Sequence, residues 1–503
     1  MTIAGESLLA AALAVGLAVV LRKLRLPVGW AVVTPVVAAV AYVLMRQRGL
    51  SVEQASTSAI FLLAYALIAS DKIHKTKVAL AGAAVVLLFH LIDQKAALHG
   101  EGEVEGIDWN TIFLLVGMMV IVNITRHTGV FQWIAIKAAK LAKGSPVLII
   151  LLLCAITAVI SAGLDNVTTV LLIAPVTLLV FESLGLDPVP ALILVVLSSN
   201  IGGTATLIGD PPNIMIGSSA RLTFTDFLKV DAPIIGVCMV VFLLTVWAVM
   251  GRRLQVSAER RARVMEFDET RAITNPRLLT RCLAVIALVL VGFGFHGALH
   301  LEPATIALAG AAALLLLHRE EPEGILREVE WPTIFFFVGL FIMVSALVKV
   351  GVVKMIGQGI IYMACGGEVT GGLTDPQRFA LTMGVLWFSA IASGVIDNIP
   401  FVATMNAVIH GMAVSLHPDA ANADFYQIAH APDILPLWWA LSLGACLGGN
   451  FTLVGASANV VVAGISERSK HPISFARFCK YGIPLTLQTM VLCSFYLWWR
   501  FLR

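Results

Sequence analysis

The chain has 503 residues, of which 59% are hydrophobic and 13% are charged, and its formal net charge is +3 at pH 7. Soluble domains carry about 25% charged residues, so this composition cannot give so long a chain a water-facing surface. The small net charge and the lack of a long basic run argue against a nucleic-acid partner. We therefore predict an all-α polytopic membrane protein.

Apolar runs suited to crossing a bilayer, which takes about 20 helical residues, follow one another along the chain. These runs carry few or no charges, and they lie at about 5–21, 26–45, 56–70, 77–92, 109–125, 146–164, 166–181, 188–220, 232–250, 282–300, 303–318, 332–348, 379–396, 398–414, 434–466 and 481–499.

Four regions of this pattern are interrupted at their centres. The runs 188–220 and 434–466 each contain a Gly-Gly pair, and glycine is costly inside a helix, which predicts two discontinuous helices. The regions 146–181 and 379–414 each hold an Asp-Asn pair, which predicts two re-entrant helical hairpins whose tips line a protein-enclosed cavity. With each discontinuous helix counted as one crossing, the runs outside the two hairpins give about 12 spans.

The basic residues between the spans predict the orientation of the chain. Placing Arg22, Lys23 and Arg25 in the cytoplasm puts 24 of the 34 Lys and Arg residues on that side, as the positive-inside rule expects. The charged segment 251–281 is then a cytoplasmic linker, and an acidic loop with Glu101 and Glu103 lies opposite. We expect an integral protein of the plasma (inner) membrane with both termini extracytoplasmic.

The two parts of the chain on either side of the linker resemble each other. Five blocks recur in the same order, among them ALAGAA at 79–84 and 307–312, SAGLDN at 161–166 with SGVIDN at 393–398, and GGTATLIG at 202–209 with GGNFTLVG at 448–455. The predicted spans make matching blocks run in opposite directions, so we predict an inverted repeat. Its parts are extra N-terminal spans at 1–55, a first repeat at 56–250 and a second repeat at 282–503.

An inverted repeat with discontinuous helices at matching positions is typical of secondary transporters, which bind their substrate where the repeats meet. The sequence has no Walker A, HExxH or GxSxG motif, so it offers no ATPase or hydrolase chemistry. We therefore predict a transporter that is not an enzyme, needs no cofactor or metal and draws its energy from an ion gradient.

Three aspartates stand inside otherwise uncharged runs. Asp165 and Asp397 occupy the predicted hairpin tips, where a membrane-embedded carboxylate is by default a functional residue and where helix capping is the alternative. We predict that both couple transport to protons. Asp210 has Ala456 as its repeat equivalent, so it is either an ion ligand present in one half only or a loop cap.

The predicted substrate and ion site combines these carboxylates with amides, hydroxyls and unwound glycine backbone. Close helix packing is the alternative role for the glycines, and packing is the expected role for Cys446. The predicted residues are Asp165, Asn166, Thr168, Gly202, Gly203, Thr204, Thr206, Asp210, Asn213, Asp397, Asn398, Gly448, Gly449, Asn450, Thr452 and Asn459.

Three of these segments resemble a known family. SSNIGGTATLIGDPPNIMIG at 198–217, GLDNVTTVLLIAPV at 163–176 and GVIDNIPFVATM at 394–405 are similar to the ArsB/NhaD permeases of the ion transporter superfamily, which includes the pigmentation P protein. The resemblance covers nearly the whole chain. It implies a scaffold domain, a transport domain built from the hairpins and broken helices, and a homodimer with elevator-like motion.

The resemblance favours an efflux antiporter that exchanges arsenite or antimonite for H⁺. A sodium/proton antiporter, with Na⁺ as the ion, is the alternative, because Asp and backbone oxygens suit a hard cation. Silicic acid efflux, dicarboxylate transport and a membrane subunit for a soluble ATPase rank lower. Against dicarboxylates stands the repulsion between paired carboxylates and a dianion. The expected partners are therefore a small inorganic solute, H⁺ or Na⁺, membrane lipid and a second copy of the chain.

Overall fold

The computed structural model describes residues 27–70, 72–101, 104–251, 254, 256–318, 321–367, 369, 373–417 and 425–503, together with 12, 14, 15, 17–19, 21 and 22. The regular secondary structure of these residues is helical, and their one β feature is an isolated bridge between Glu101 and Val104. The predicted span at 5–21 falls mostly outside the described residues, as do Lys23, Arg25, Glu103, Arg252 and Arg319.

Eleven helices whose bounds the structure describes precede the linker. They are α1 (Val28–Gln47), α2 (Val52–Ala69), α3 (Lys75–Leu88), α4 (Gln94–His99), α5 (Trp109–Arg126), α6 (Val130–Leu141), α7 (Pro146–Gly163), α8 (Asn166–Ser183), α9 (Val189–Gly203), α10 (Pro211–Ala220) and α11 (Phe224–Met250).

The linker contributes α12 (Ala258–Met265) and a 3₁₀ turn at Glu269–Ala272. The helices that follow are α13 (Pro276–Leu299), α14 (Pro303–Leu317), α15 (Pro322–Arg327), α16 (Trp331–Lys349), α17 (Val352–Cys365), α18 (Asp375–Val395), α19 (Asn398–Leu416), α20 (Phe425–Ala429), α21 (Leu435–Gly448), α22 (Ser457–Arg468) and α23 (Phe475–Phe501).

The prediction of an all-helical polytopic membrane protein is confirmed. Ten helices of the described part are long and apolar enough to span a bilayer, namely α1, α2, α5, α7, α8, α11, α13, α16, α18 and α19. Four further apolar helices, α9, α14, α17 and α21, have 14 or 15 residues. The helices α9 and α21 are short because each ends at a Gly-Gly pair, where the backbone leaves the helix.

The chain forms two compact units. The first comprises residues 1–109, 330–368 and 403–418, and the second comprises 110–329, 369–402 and 419–503. In the first unit, α3 packs on α16, and a Cβ added at Gly339 would lie 2.6 Å from the carbonyl carbon of Ala79. In the second unit, a Cβ at Gly117 would lie 2.8 Å from the carbonyl carbon of Ala307. Gly117 and Gly339 hold the same place in the similar segments 107–122 and 329–344, and Ala79 and Ala307 begin the two ALAGAA blocks. Each unit therefore contains one copy of the same close helix contact.

The linker is fastened to α6 inside the second unit. The Glu269 carboxylate accepts hydrogen bonds from Lys140 Nζ and, at 3.3 Å, from Lys137 Nζ. The Lys140 ammonium also donates to the Phe267 carbonyl oxygen at 3.2 Å. The Lys140 hydrogen bond, with smaller contributions from backbone and Lys137, lowers the pKa of Glu269 to about 2. Both lysines of α6 therefore face the linker.

Candidate functional site

Two helix breaks and the tips of two helix hairpins lie in the second unit. The helices α7 and α8 meet at Leu164 and Asp165, and α18 and α19 meet at Ile396 and Asp397. The gap between α9 and α10 holds residues 204–210, and the gap between α21 and α22 holds residues 449–456. The first hairpin packs along α9 and α22, and α18 packs along α21.

Glycine permits the closest of these contacts. A Cβ at Gly202 would lie 2.2 Å from the carbonyl oxygen of Ala158 on α7, and a Cβ at Gly448 would lie 2.4 Å from the carbonyl oxygen of Ala390 on α18. A side chain at either position would overlap backbone atoms, which cannot rotate away as a flexible side chain can. Each broken helix therefore lies against the first arm of one hairpin without an intervening side chain. Gly203 ends α9, and Gly449 is the first residue after α21.

Hydroxyl groups tie each hairpin to the neighbouring helix. Ser161 Oγ donates to the Ser199 carbonyl oxygen at 2.8 Å, and Ser393 Oγ donates to the Ala445 carbonyl oxygen at 2.6 Å. The Thr206 hydroxyl donates to the Ala162 carbonyl oxygen, and Thr452 Oγ1 donates to that of Gly394 at 2.6 Å. These matching bonds use the hydroxyl hydrogens of both threonines, so the threonines can offer a solute only their oxygen lone pairs.

Two asparagines close the helix breaks. Asn213 Nδ2 donates to the carbonyl oxygens of Thr204 and Thr206 at 3.1 and 2.9 Å. Asn459 Nδ2 donates to those of Gly449 and Thr452 at 2.8 and 3.0 Å. Both amide hydrogens are used in each case, which fixes the orientation of each side-chain amide and leaves its Oδ1 as an acceptor.

Buried amides link the two halves of the sequence at the centre of this unit. Asn200 Nδ2 donates to Asn450 Oδ1 at 2.8 Å and to Asn459 Oδ1 at 3.0 Å. Asn200 Oδ1 accepts from Asn166 Nδ2 at 3.1 Å, and Asn450 Nδ2 donates to the Leu197 carbonyl oxygen at 3.2 Å. All four asparagines are buried. We call Asn166, Asn200, Asn450 and Asn459 the amide cluster.

The two hairpin-tip carboxylates start the second arms of their hairpins. Asp165 Oδ1 accepts from the backbone N–H of Thr168 at 2.9 Å, which is the geometry of a helix N-cap. Asp397 Oδ1 accepts from the backbone N–H of Ile399 at 3.1 Å, and its Oδ2 accepts from Ser457 Oγ at 2.7 Å. Capping uses one oxygen of each carboxylate, so the second oxygen of each group takes no part in the cap.

Asp210 lies at the start of α10 but makes no side-chain capping bond. Its Oδ2 accepts from Asn398 Nδ2 at 3.3 Å, and its side chain is 1% exposed. Asp210 also interacts electrostatically with Asp165 and Asp397. In the described part of the chain, neither Asp165 nor Asp210 forms an ion pair with a basic side chain. Three carboxyl groups therefore converge where the hairpin tips and helix breaks meet.

The structure brings most of the predicted site residues into this region, and some have backbone roles. Thr204 Oγ1 donates to the Asn200 carbonyl oxygen at 2.8 Å, as hydroxyls inside helices commonly do. Thr168 contributes its backbone N–H to the Asp165 cap.

Four residues of the region are absent from the predicted site. Asn200 is the hub of the amide cluster, Ser457 is bound to Asp397, and Ser442 contacts both Asn213 and Asp231. Asp231 stands just before the predicted apolar run at 232–250. A Thr223–Asp226 capping box begins α11 eight residues earlier, so Asp231 lies in its second turn with no exposed surface.

Comparison with known proteins identifies related transporters. The model of the family described as citrate transporter, CitMHS, matches residues 65–444. An uncharacterized transporter of Mycobacterium tuberculosis is 45% identical over 442 residues, which cover 88% of this chain and 97% of that protein. The 46 kDa membrane protein of Mycobacterium leprae is 44% identical over 443 residues, covering 88% of this chain and 98% of that protein.

The P protein, which the sequence resemblance included, is also among the relatives. The human P protein is 34% identical over 528 residues, which cover 89% of this chain and 60% of the P protein. The mouse P protein is 34% identical over 526 residues, covering 89% of this chain and 61% of that protein. The similarity therefore extends over nearly the whole of this chain.

Proposed function

Because the chain belongs to the CitMHS citrate transporter family of the ion transporter superfamily, and is thus a secondary transporter and not an enzyme, we propose that it works as a proton-coupled efflux antiporter for arsenite or antimonite. In this proposal the solute binds between the hairpin tips and the helix breaks. Asp165 and Asp397 exchange protons as the solute enters and leaves.

The convergence of three carboxyl groups with neutral amides carries this proposal. Asp210 interacts electrostatically with both Asp165 and Asp397, beside Asn398 and Asn166. Arsenite is an uncharged trihydroxy acid near neutral pH, so it brings both donors and acceptors to such a site. A neutral solute avoids repulsion by the carboxylates, and the site has hydrogen-bond partners for its hydroxyl groups.

The same carboxylates favour sodium/proton antiport as a second candidate. Hard cations bind to carboxylate, amide and backbone oxygens, and all three are present at the hairpin tips and helix breaks. Free citrate, the solute in the family's description, would bring three further negative charges to three carboxyl groups. Because of this electrostatic repulsion, citrate is a weaker candidate substrate than arsenite or sodium.

We further propose that the matching contacts in the two halves reflect an inverted repeat with re-entrant hairpins. Ser161 and Ser393 donate to backbone carbonyls at matching places in the two halves, and so do Thr206 and Thr452, which supports this arrangement. The cytoplasmic position of the linker 251–281, the extracytoplasmic termini and the homodimer belong to the same proposal.

Reconstituted protein can identify the solute. Purified full-length chain is placed in liposomes that enclose a pH-sensitive dye, and arsenite, sodium or citrate is added outside in separate runs, with protein-free liposomes as the control. Proton movement evoked by arsenite alone is expected. A response to sodium alone would establish the second candidate, and a response to citrate alone would overturn both.

A further inference from the structure

Asp231 is a buried carboxyl group that the proposed site does not use. It lies in the second turn of α11, within the second unit, and its side chain has no exposed surface. Its Oδ2 lies 2.6 Å from Ser442 Oγ on α21, and its Oδ1 is buried without a hydrogen-bond partner. An ionised carboxylate with one bond for two buried oxygens is poorly stabilised, because a buried charge needs compensation at each oxygen.

The groups that face Asp231 do not supply that compensation. The helices packed against α11 are α7, α9, α13, α21 and α23. Their titratable side chains are Cys154 on α7, Arg277, Arg281, Cys282 and His296 on α13, Cys446 on α21, and Arg477, Cys479, Lys480, Tyr481, Cys493, Tyr496 and Arg500 on α23, while α11 itself carries Asp226, Lys229 and Cys238.

Four of these groups interact electrostatically with Asp231, namely Cys446, Cys493, Tyr496 and Arg500. Arg500 is the one permanent cation among the four, and its Nη1 donates to Tyr496 Oη at 2.9 Å. Tyr496 Oη in turn donates to the Val230 carbonyl oxygen at 2.6 Å. The side chains of Arg500 and Tyr496 are therefore bound to each other and to the Val230 carbonyl oxygen. Neither forms a hydrogen bond with the Asp231 carboxyl group.

Ser442 lies between Asp231 and the helix break. Its Oγ is 2.6 Å from Asp231 Oδ2 and 2.9 Å from Asn213 Oδ1, but a hydroxyl has one hydrogen to donate. Asn213 Oδ1 is fixed as an acceptor because the Asn213 amide hydrogens are bound to Thr204 and Thr206. If Asp231 is ionised, Ser442 donates to it; if Asp231 carries a proton, Asp231 donates to Ser442 and Ser442 donates to Asn213.

We propose that Asp231 is a proton-binding site of the transporter and that Ser442 transmits its protonation to Asn213, which holds the break between α9 and α10. This inference rests on the proposed proton-coupled function. Binding of a proton turns the Ser442 hydroxyl hydrogen towards Asn213 Oδ1. Release of the proton turns it back to Asp231 and leaves Asn213 Oδ1 with the thiol of Cys446, at 3.3 Å, as its donor.

Infrared spectroscopy of the full-length protein in lipid tests this proton site without any solute. A protonated carboxyl group gives a C=O stretching band that disappears when the group ionises. We expect Asp231→Asn to remove a pH-dependent band that wild type and Asp226→Asn both show. Asp226→Asn is the matched control, because it is the same change on the same helix and keeps the capping acceptor at position 226. A band that persists unchanged in Asp231→Asn would overturn the proposal.

Ser442→Ala tests the transmission step. Loss of the hydroxyl removes the partner of the Asp231 carboxyl, so we expect the pH midpoint of the Asp231 band to shift. An unchanged midpoint would overturn the role of Ser442.

In dye-loaded liposomes, Asp231→Asn is expected to lose most of the proton movement that wild type shows, and full proton movement would overturn the coupling role of Asp231. If wild type responds to none of arsenite, sodium and citrate, the proposed function fails, whereas the infrared result still decides whether Asp231 binds a proton.

Discussion

At the scale of single residues, the amide cluster joins four buried asparagines through hydrogen bonds. Asn200 exchanges hydrogen bonds with Asn166, Asn450 and Asn459, so one side chain joins both sequence halves. Buried polar groups that lose their partners destabilise a fold more strongly than a typical hydrogen bond stabilises it. The site therefore depends on Asn200 for its geometry as well as for its polarity.

Replacing Asn200 with Ala is expected to lower thermal stability in detergent. Three buried amide groups lose a partner, at about 1–3 kcal/mol for each group left unpaired. Asn123→Ala is the matched control, because Asn123 is also buried in a helix but its Nδ2 has no partner. Unfolding curves of both variants measure the difference. Equal losses of stability would show that the hydrogen bonds of Asn200 contribute nothing beyond packing.

The sequence reveals some site residues and hides others, for physical reasons. Asp165, Asp210 and Asp397 are detectable because charge is rare inside an apolar run. Asn200 is harder to find, since a single Asn among apolar residues fits an ordinary helix, and its importance comes from partners about 250 residues away. Asp231 lies at the boundary of an apolar run, so only the capping box at Thr223 shows that it is inside α11.

At the scale of helices, glycine sets how closely the broken helices approach the hairpins. We expect Gly202→Ala and Gly448→Ala each to destabilise the second unit by about 1–3 kcal/mol, because the new methyl group overlaps a backbone carbonyl. Gly236→Ala on α11 is the control, since nothing lies within 4 Å of its added Cβ and alanine favours a helix. Thermal unfolding measures all three. If Gly202→Ala unfolded at the same temperature as Gly236→Ala, α7 and α9 would not be in contact at Gly202.

The attachment of the linker to α6 is expected to depend on pH. The pKa of Glu269 is lowered from 4.5 to about 2, so its bond to Lys140 is intact above pH 4.5 and weakens as the pH falls from 4.5 towards 2. Limited proteolysis within 251–281 measures this attachment. Faster cleavage is expected on acidification, and Glu269→Gln is expected to be cleaved faster already at pH 7. Equal cleavage of wild type and Glu269→Gln at pH 7 would contradict this account.

Helix positions are largely predictable here, whereas packing partners are not. The predicted hairpins at 146–181 and 379–414 contain the observed ends of α7 and α18, because Asp-Asn pairs interrupt the apolar runs there. The sequence does not indicate that α3 packs on α16, a helix from the other half of the chain. Apolar stripes are alike on many helices of a membrane protein, so composition alone does not select a partner.

At the scale of the whole molecule, residues from both halves of the sequence build one polar region. Asn398 from the second half donates to Asp210 from the first, and Asn200 from the first half donates to Asn459 from the second. In the proposed mechanism such a shared region suits alternating access, because movement of one repeat would change the surroundings of a site that both repeats line. The recurring blocks are visible in the sequence, whereas the hydrogen bonds between the two halves are visible only in the structure.

The central claim is that the hairpin-tip carboxylates couple solute and proton. The decisive measurement compares arsenite-evoked proton movement in dye-loaded liposomes for wild type, Asp165→Asn, Asp397→Asn and Asp187→Asn. Asp187 is the matched control, because it is half exposed and pairs with Arg477 away from the site. The account predicts a strong response from wild type and Asp187→Asn and none from the two site variants, with all four proteins equally inserted. Full proton movement by Asp165→Asn and Asp397→Asn would contradict it.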